Sequence, residues 1–259
     1  AMTRGNLLHR VMENFWCDVE NQEKLLEMDV GTLVVRIGQH VEQAIEDVFA
    51  DQSRPPQALL SLEKVRLNGL VMEWLTEVES AREAFSVQEL EQEHFEQIGP
   101  LRFRTVIDRI DQLVNGSRVI LDYKTGRSQL DSLLGERLLE PQLPIYAVAG
   151  VENEADGVAF AQVRRGECKM LGIAREDGLL PKVAGVKKSK SLQELGVQDW
   201  SQLLDYWRQQ LEQLATDFVN GEATVDPISY EKACQYCDLK GLCRISEARY
   251  ETEPGEETT

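Results

Sequence analysis

The chain has 259 residues, of which 42% are hydrophobic and 28% charged, a length that suits one large domain or two small ones and needs no disulfide or metal to make a core. No apolar run approaches the roughly 20 residues of a membrane span, and no basic-then-apolar leader opens the chain, so a soluble cytoplasmic protein without a membrane partner is expected. Its 28 basic against 45 acidic side chains give a net charge of −17, which excludes a uniformly basic nucleic-acid binder.

Ala1 and Met2 read as a cloning remnant. Leu7, Leu8, Val11, Phe15 and Val19 then share one face of a helix over 6–19. A second helix over 32–50 carries Leu33, Ile37, Val41, Ile45 and Val48, and Arg54-Pro55-Pro56 ends that pattern. A third, over 57–82, carries Leu60, Val65, Leu67, Leu70, Trp74 and Val78. The period then shortens. Residues 85–97, with Phe85, Val87, Leu90 and Phe95, and residues 101–114, alternating through Leu101, Phe103, Thr105 and Ile107, predict two strands. Asn115-Gly116 is a hairpin signal, and Arg118–Lys124 reads as a buried strand. A short helix over 142–150, strands over 157–164 and 168–174, and a long amphipathic helix over 198–220 follow. The last carries Leu203, Leu204, Trp207, Leu211, Leu214 and Phe218. The acidic tail, 251–259, is expected to be disordered. No repeat is present, and no G-x-x-x-x-G-K-S/T run marks a nucleotide-driven motor.

Asp122 and Lys124 stand two apart on a strand, so both point to one face. Unpaired charge is costly in a core. An acid on the neighbouring strand would complete a divalent-cation site, and the lysine could orient water and offset phosphate charge. Two registers are open. A three-residue loop Val114–Gly116 puts Asp108 opposite Asp122; a two-residue loop pairs Asp111 with Ile120 and turns Asp108 away. A salt-bridged strand pair, Asp122 with Lys124 or Arg109, is the plainer reading of these charges.

Ile107-Asp-Arg-Ile-Asp111 followed by Leu121-Asp-Tyr-Lys-Thr-Gly126 resembles the core of the RecB-family branch of the PD-(D/E)XK nucleases. The resemblance implies an α/β, restriction-endonuclease-like mixed β-sheet core flanked by helices, with a helical insertion at about 20–84, in a single domain over 1–250. It implies Mg²⁺- or Mn²⁺-dependent cleavage of DNA, with Asp108, Asp122 and Lys124 catalytic. Gly5-Asn-Leu-Leu-His9 resembles the family's G-x-x-x-H, which makes His9 a metal ligand beside Asp108 and Asp122. Gln142-Leu-Pro-Ile-Tyr146 resembles its Q-x-x-x-Y, which gives Gln142 and Tyr146 a DNA contact. The family's usual glycine three residues before the first acid is Thr105 here. His40 and His94 have no such company and read as structural. Glu93 reads as part of a solvated strand face, with a supporting role behind the metal as the rarer option.

Cys234, Cys237 and Cys243 form C-x₂-C-x₅-C, a spacing open to zinc or to part of an iron–sulfur site. Beside a RecB-like core it resembles the C-terminal part of the [4Fe-4S] iron–sulfur staple of AddB-type nucleases. The fourth cysteine of that staple precedes G-x-x-x-H and would lie outside this chain, so the cluster is expected to be incomplete or absent here. Cys17 and Cys168 read as core thiols.

The resemblance therefore points to a nuclease domain, an exonuclease in DNA recombination or repair. It would act on a single-stranded DNA end beside a helicase-type region or subunit. The alternative is a DNA-binding or partner-stapling domain with little or no cleavage. The charge pattern bears on this. Residues 1–100 hold 8 basic and 19 acidic groups, residues 191–259 hold 5 and 14, and residues 101–190 hold 15 and 12. Only the middle third carries a net positive charge. Its Arg102, Arg104, Arg127, Arg164, Arg165, Lys187, Lys188 and Lys190 would guide a strand if they lined one groove.

Overall fold

The computed structural model describes residues 2–50, 54–149, 155–235 and 237–245; the acidic tail expected to be disordered lies outside them. Four helices come first: α1 (Met2–Val19), α2 (Gln22–Leu26), α3 (Val30–Val48) and α4 (Gln57–Glu77), followed by a 3-10 turn at Glu79–Ala81. Five strands, β1 (Phe85–Ile98), β2 (Leu101–Leu113), β3 (Arg118–Lys124), β4 (Gly157–Gln162) and β5 (Lys169–Ala174), form one sheet in chain order. The β3–β4 pair is parallel and the others are antiparallel. The parallel pair needs a crossover; it carries α5 (Gln142–Val148). The chain continues through α6 (Lys190–Glu194) to α7 (Trp200–Val219) and ends in two short helices, α8 (Tyr230–Ala233) and α9 (Lys240–Cys243).

The alternation of β3 explains the layers. Val119, Leu121 and Tyr123 face the core made with α1, α3 and α4, and Ile120 faces the second core with α5 and α7. Asp122 and Lys124 share the face of Ile120 by the same period. The helices start on side-chain caps: Asp29 accepts the Thr32 N–H before α3, and Asp199 accepts the Gln202 N–H before α7. β1 and β2 run well past the end of β3. Their far ends rest on α7, where Ile98 packs with Leu211 and Ala215.

Three face assignments change. Val65, Leu214 and Phe218 fit an apolar period but are exposed. α4 is apolar around much of its circumference, so period alone does not choose its inner face; Leu67, Leu70, Val71 and Trp74 go inside. α7 buries Trp200, Leu203, Leu204, Trp207, Leu211 and Ala215, and Leu214 and Phe218 fall on its outer side. Cys17 is also exposed, not a core thiol, and Cys168 is only half-buried. Among the described residues no helix is long and apolar enough to cross a membrane.

Candidate metal and catalytic site

The β2–β3 hairpin has the three-residue loop. The Leu113 N–H donates to Ser117 O, and Arg109 pairs with Leu121, which puts Asp108 across from Asp122. The ladder stops at Arg109–Leu121. One residue on, the Asp108 carboxylate accepts the Tyr123 N–H at 2.7 Å. The acid thus stands where the two strands part.

Glu91 completes a row of acids over three strands. It lies between the pairs Leu90–Arg109 and Gln92–Ile107, alongside Asp108. Its φ is 45°, in the left-handed region, after a register slip between Val87 and Glu89. A non-glycine residue held there costs about 1–3 kcal/mol, and such strain gathers at functional sites. The kink aims its carboxylate at His9, 3.4 Å from Nδ1.

His9 comes from α1. Its Nε2 lies 2.9 Å from Tyr123 O, an acceptor only, so Nε2 carries a proton and Nδ1 faces the acids, 3.4 Å from Asp108 Oδ2. Ligand atoms of His9, Glu91 and Asp108 all lie within 4.8 Å of one another. Burial opposes a charged imidazole here, but the hydrogen bonds and charges of Asp108 and Glu91 outweigh it and lift the His9 pKa to about 10. Without a metal, a proton is the cation these acids share.

Asp122 is buried and sits behind this group. Its Oδ2 is 2.6 Å from Lys124 Nζ, while Oδ1 is buried with no hydrogen-bond partner. Burial, aided by the charge of Asp108, raises its pKa to about 6 against the pull of Lys124 and His9. A buried carboxylate oxygen without a partner is expensive. The imidazole nitrogen and two carboxylates of His9, Glu91 and Asp108 fit a hard or borderline divalent cation such as Mg²⁺ or Mn²⁺; the orphaned Asp122 oxygen lies outside that 4.8 Å group, within reach of the Asp108 charge.

Lys124 Nζ also donates to Gln142 Oε1 at 3.2 Å; Gln142 Nε2 donates to the Tyr146 hydroxyl at 2.7 Å, which donates to Val106 O at 2.5 Å. The four-residue spacing puts Gln142 and Tyr146 on one face of α5. Gln142 is half-buried and Tyr146 buried behind it. An open cavity of about 640 Å³ reaches the site past Asn6, His9, Arg10, Glu91, Lys124 and Gly126.

The structure thus brings together His9, Asp108, Asp122, Lys124, Gln142 and Tyr146. Sequence reasoning missed Glu91, whose one signal is an acid on the strand preceding Asp108. Glu93, two residues on, is exposed and pairs with Arg104. His40 bonds Asp18 and His94 bonds Glu89. Cys234, Cys237 and Cys243 are free thiols around α8 and α9. Among the described residues they are not gathered within the 4.8 Å that unites His9, Glu91 and Asp108.

A mixed sheet between helices, with acids and a lysine where its central strands part, defines the restriction-endonuclease-like fold of metal-dependent nucleases. The family model described as the PD-(D/E)XK nuclease superfamily matches residues 1–244, and the chain belongs to that superfamily. The crystal structure of SSO0001 aligns with 95% of this chain and 97% of its own, at 18% identity and a TM-score of 0.38. No curated protein matches the chain.

Proposed function

We propose that this domain hydrolyses DNA phosphodiester bonds at the site formed by His9, Asp108, Asp122 and Lys124, with Glu91 as a further ligand. The observation that carries it is the position of Asp108: Glu91 alongside it on β1, Asp122 across from it on β3, and His9 Nδ1 aimed at its carboxylate. Bound there, Mg²⁺ or Mn²⁺ would supply the Lewis acid for the scissile phosphate. Asp108 is held by the Tyr123 N–H and His9 by Tyr123 O, so both enter the reaction already oriented. Lys124, on the edge of the cavity, brings its ammonium to the phosphate and orients the attacking water. Gln142 accepts a further bond from that ammonium and would touch the strand; Tyr146 accepts from Gln142 and anchors it to Val106 O.

The finer reading is a RecB- or AddB-like exonuclease working in recombination or repair on a single-stranded end beside a helicase-type partner. The order of G-x-x-x-H, I-D, D-Y-K, Q-x-x-x-Y and C-x₂-C-x₅-C supports it. In that reading the domain spans 1–250 with a helical insertion at about 20–84, and Cys234, Cys237 and Cys243 are three ligands of a [4Fe-4S] cluster completed in a longer chain. Cleavage of end-labelled single- and double-stranded DNA in Mg²⁺, Mn²⁺ or EDTA tests the reading. Activity is expected with either metal, and none in EDTA, in Asp108→Ala or in Lys124→Ala. Full cleavage by both variants sinks the proposal; no cleavage by the wild-type protein with either metal favours a DNA-binding or partner-stapling domain.

A further inference from the structure

Beneath the site lies a closed group of four charges. Arg109 alternates with Asp108 on β2 and is wholly buried on the other face. Its guanidinium grips Asp111 through two bonds, Nε to Oδ1 at 2.6 Å and Nη2 to Oδ2 at 2.8 Å, and reaches Glu79 at 2.8 Å. Arg82 Nη1 bridges the same two acids, at 2.8 Å from Glu79 and 2.7 Å from Asp111. Two cations and two anions balance. Trp16 and Phe85 stack on the Arg109 guanidinium at 4.1 and 4.8 Å, and the Trp74 indole donates to Glu79.

Such a group is a poor device for stability. Buried ion pairs do little better than apolar residues of the same volume, and Arg82 keeps Nε and Nη2 buried without partners. What it does hold is Tyr123, whose hydroxyl lies 2.9 Å from Arg109 Nη1. The backbone of that same residue carries the site: its N–H holds Asp108 and its carbonyl holds His9.

We infer that Arg109 and Tyr123 are positioning residues. Clamped by Glu79, Arg82 and Asp111, Arg109 fixes Tyr123 by its side chain, and Tyr123 sets the spacing of His9 and Asp108 by its main chain. The inference rests on the metal-site reading above. Partners behind metal ligands typically change affinity by about 10–100-fold when removed.

The test is Mn²⁺ binding, followed by the electron paramagnetic resonance of free Mn²⁺, with thermal unfolding in EDTA run alongside. Tyr123→Phe removes one hydroxyl and leaves the charges balanced. The pair Arg109→Met with Asp111→Leu removes one charge of each sign and leaves Glu79 with Arg82. Both variants are expected to bind Mn²⁺ at least about tenfold more weakly than wild type, by more than any change in melting temperature accounts for. Wild-type affinity in Tyr123→Phe, or in a folded double variant, overturns the inference while leaving the metal site standing. Failure of the wild-type protein itself to bind Mn²⁺ removes both.

Discussion

At the scale of single residues, the site without metal is a contest over protons. The His9 pKa is raised from 6.5 to about 10. Its bonds to Asp108 and Glu91 therefore add stability that is complete below pH 6.5 and lost as pH rises through about 10. The Asp122 pKa is raised from 3.8 to about 6, so the folded state prefers its protonated form and that preference is lost as pH rises through about 6. The melting temperature in EDTA should therefore fall in two steps, one between about pH 4 and 6 and one between about 6.5 and 10. His9→Gln should flatten the upper step and Asp122→Asn the lower. An unchanged profile in His9→Gln would deny the imidazolium its part. Glu91 adds a second prediction. Glu91→Gln removes a candidate ligand and one of the charges that raise the His9 pKa. Mn²⁺ affinity by calorimetry should fall by about tenfold or more, and an NMR titration should place the His9 pKa below that of wild type.

At the scale of elements, β4 and β5 approach so closely that a side chain does not fit at Gly172. A Cβ there would stand 2.0 Å from Val158 O and 2.6 Å from the Ala159 Cα, atoms of the paired strand that cannot rotate away. Overpacking of this kind costs about 1–3 kcal/mol. Chains of this size lose roughly 2–4 °C per kcal/mol. Gly172→Ala should lower the melting temperature by about 2–12 °C; a shift within 1 °C would mean that the two strands separate easily. β2 was legible in the sequence because Leu101, Phe103, Thr105 and Ile107 alternate, and β3 because a short Val-Ile-Leu run follows Asn115-Gly116. His9, Asp108, Asp122 and Lys124 were legible because their chemistry recurs in a fixed order. Glu91 was not, because a left-handed residue breaks the very period by which facing is read. The hairpin register was open for a related reason: Asn115-Gly116 serves a two- or a three-residue loop, and only packing of Ile110 against Ile120 in one core selects between them. The exposed Val65 and Phe218 show the opposite limit, since an apolar residue in phase still needs a neighbour to cover it.

At the scale of the whole molecule, the net charge of −17 puts most of the surface at odds with a polyanion, and Lys187 and Lys188 do not share the cavity of Lys124. β5 runs from Lys169, beside Gln162, back to Ala174, beside Gly157. Arg175 is thus at the end of the sheet away from Lys124, where it shares a cavity with Lys187, Lys188 and the acids Glu176, Asp177 and Asp199. Lys188 is paired with Asp177 there. At the other end, Arg10 lines the cavity over the site, and Arg127 follows Gly126 on its rim, held by Glu167. A DNA strand entering the site would meet Arg10 and Arg127, and would stay clear of Lys187 and Lys188. Each phosphate neutralised contributes about 0.7 to the slope of log affinity against log salt for a single strand. With metal replaced by Ca²⁺ to suppress cleavage, Arg10→Ala and Arg127→Ala should each flatten that slope by about 0.7 in a fluorescence-anisotropy titration. Lys187→Ala with Lys188→Ala should leave it unchanged. The reverse result would mean that the strand crosses the far end of the sheet, along the cavity lined by Lys187 and Lys188.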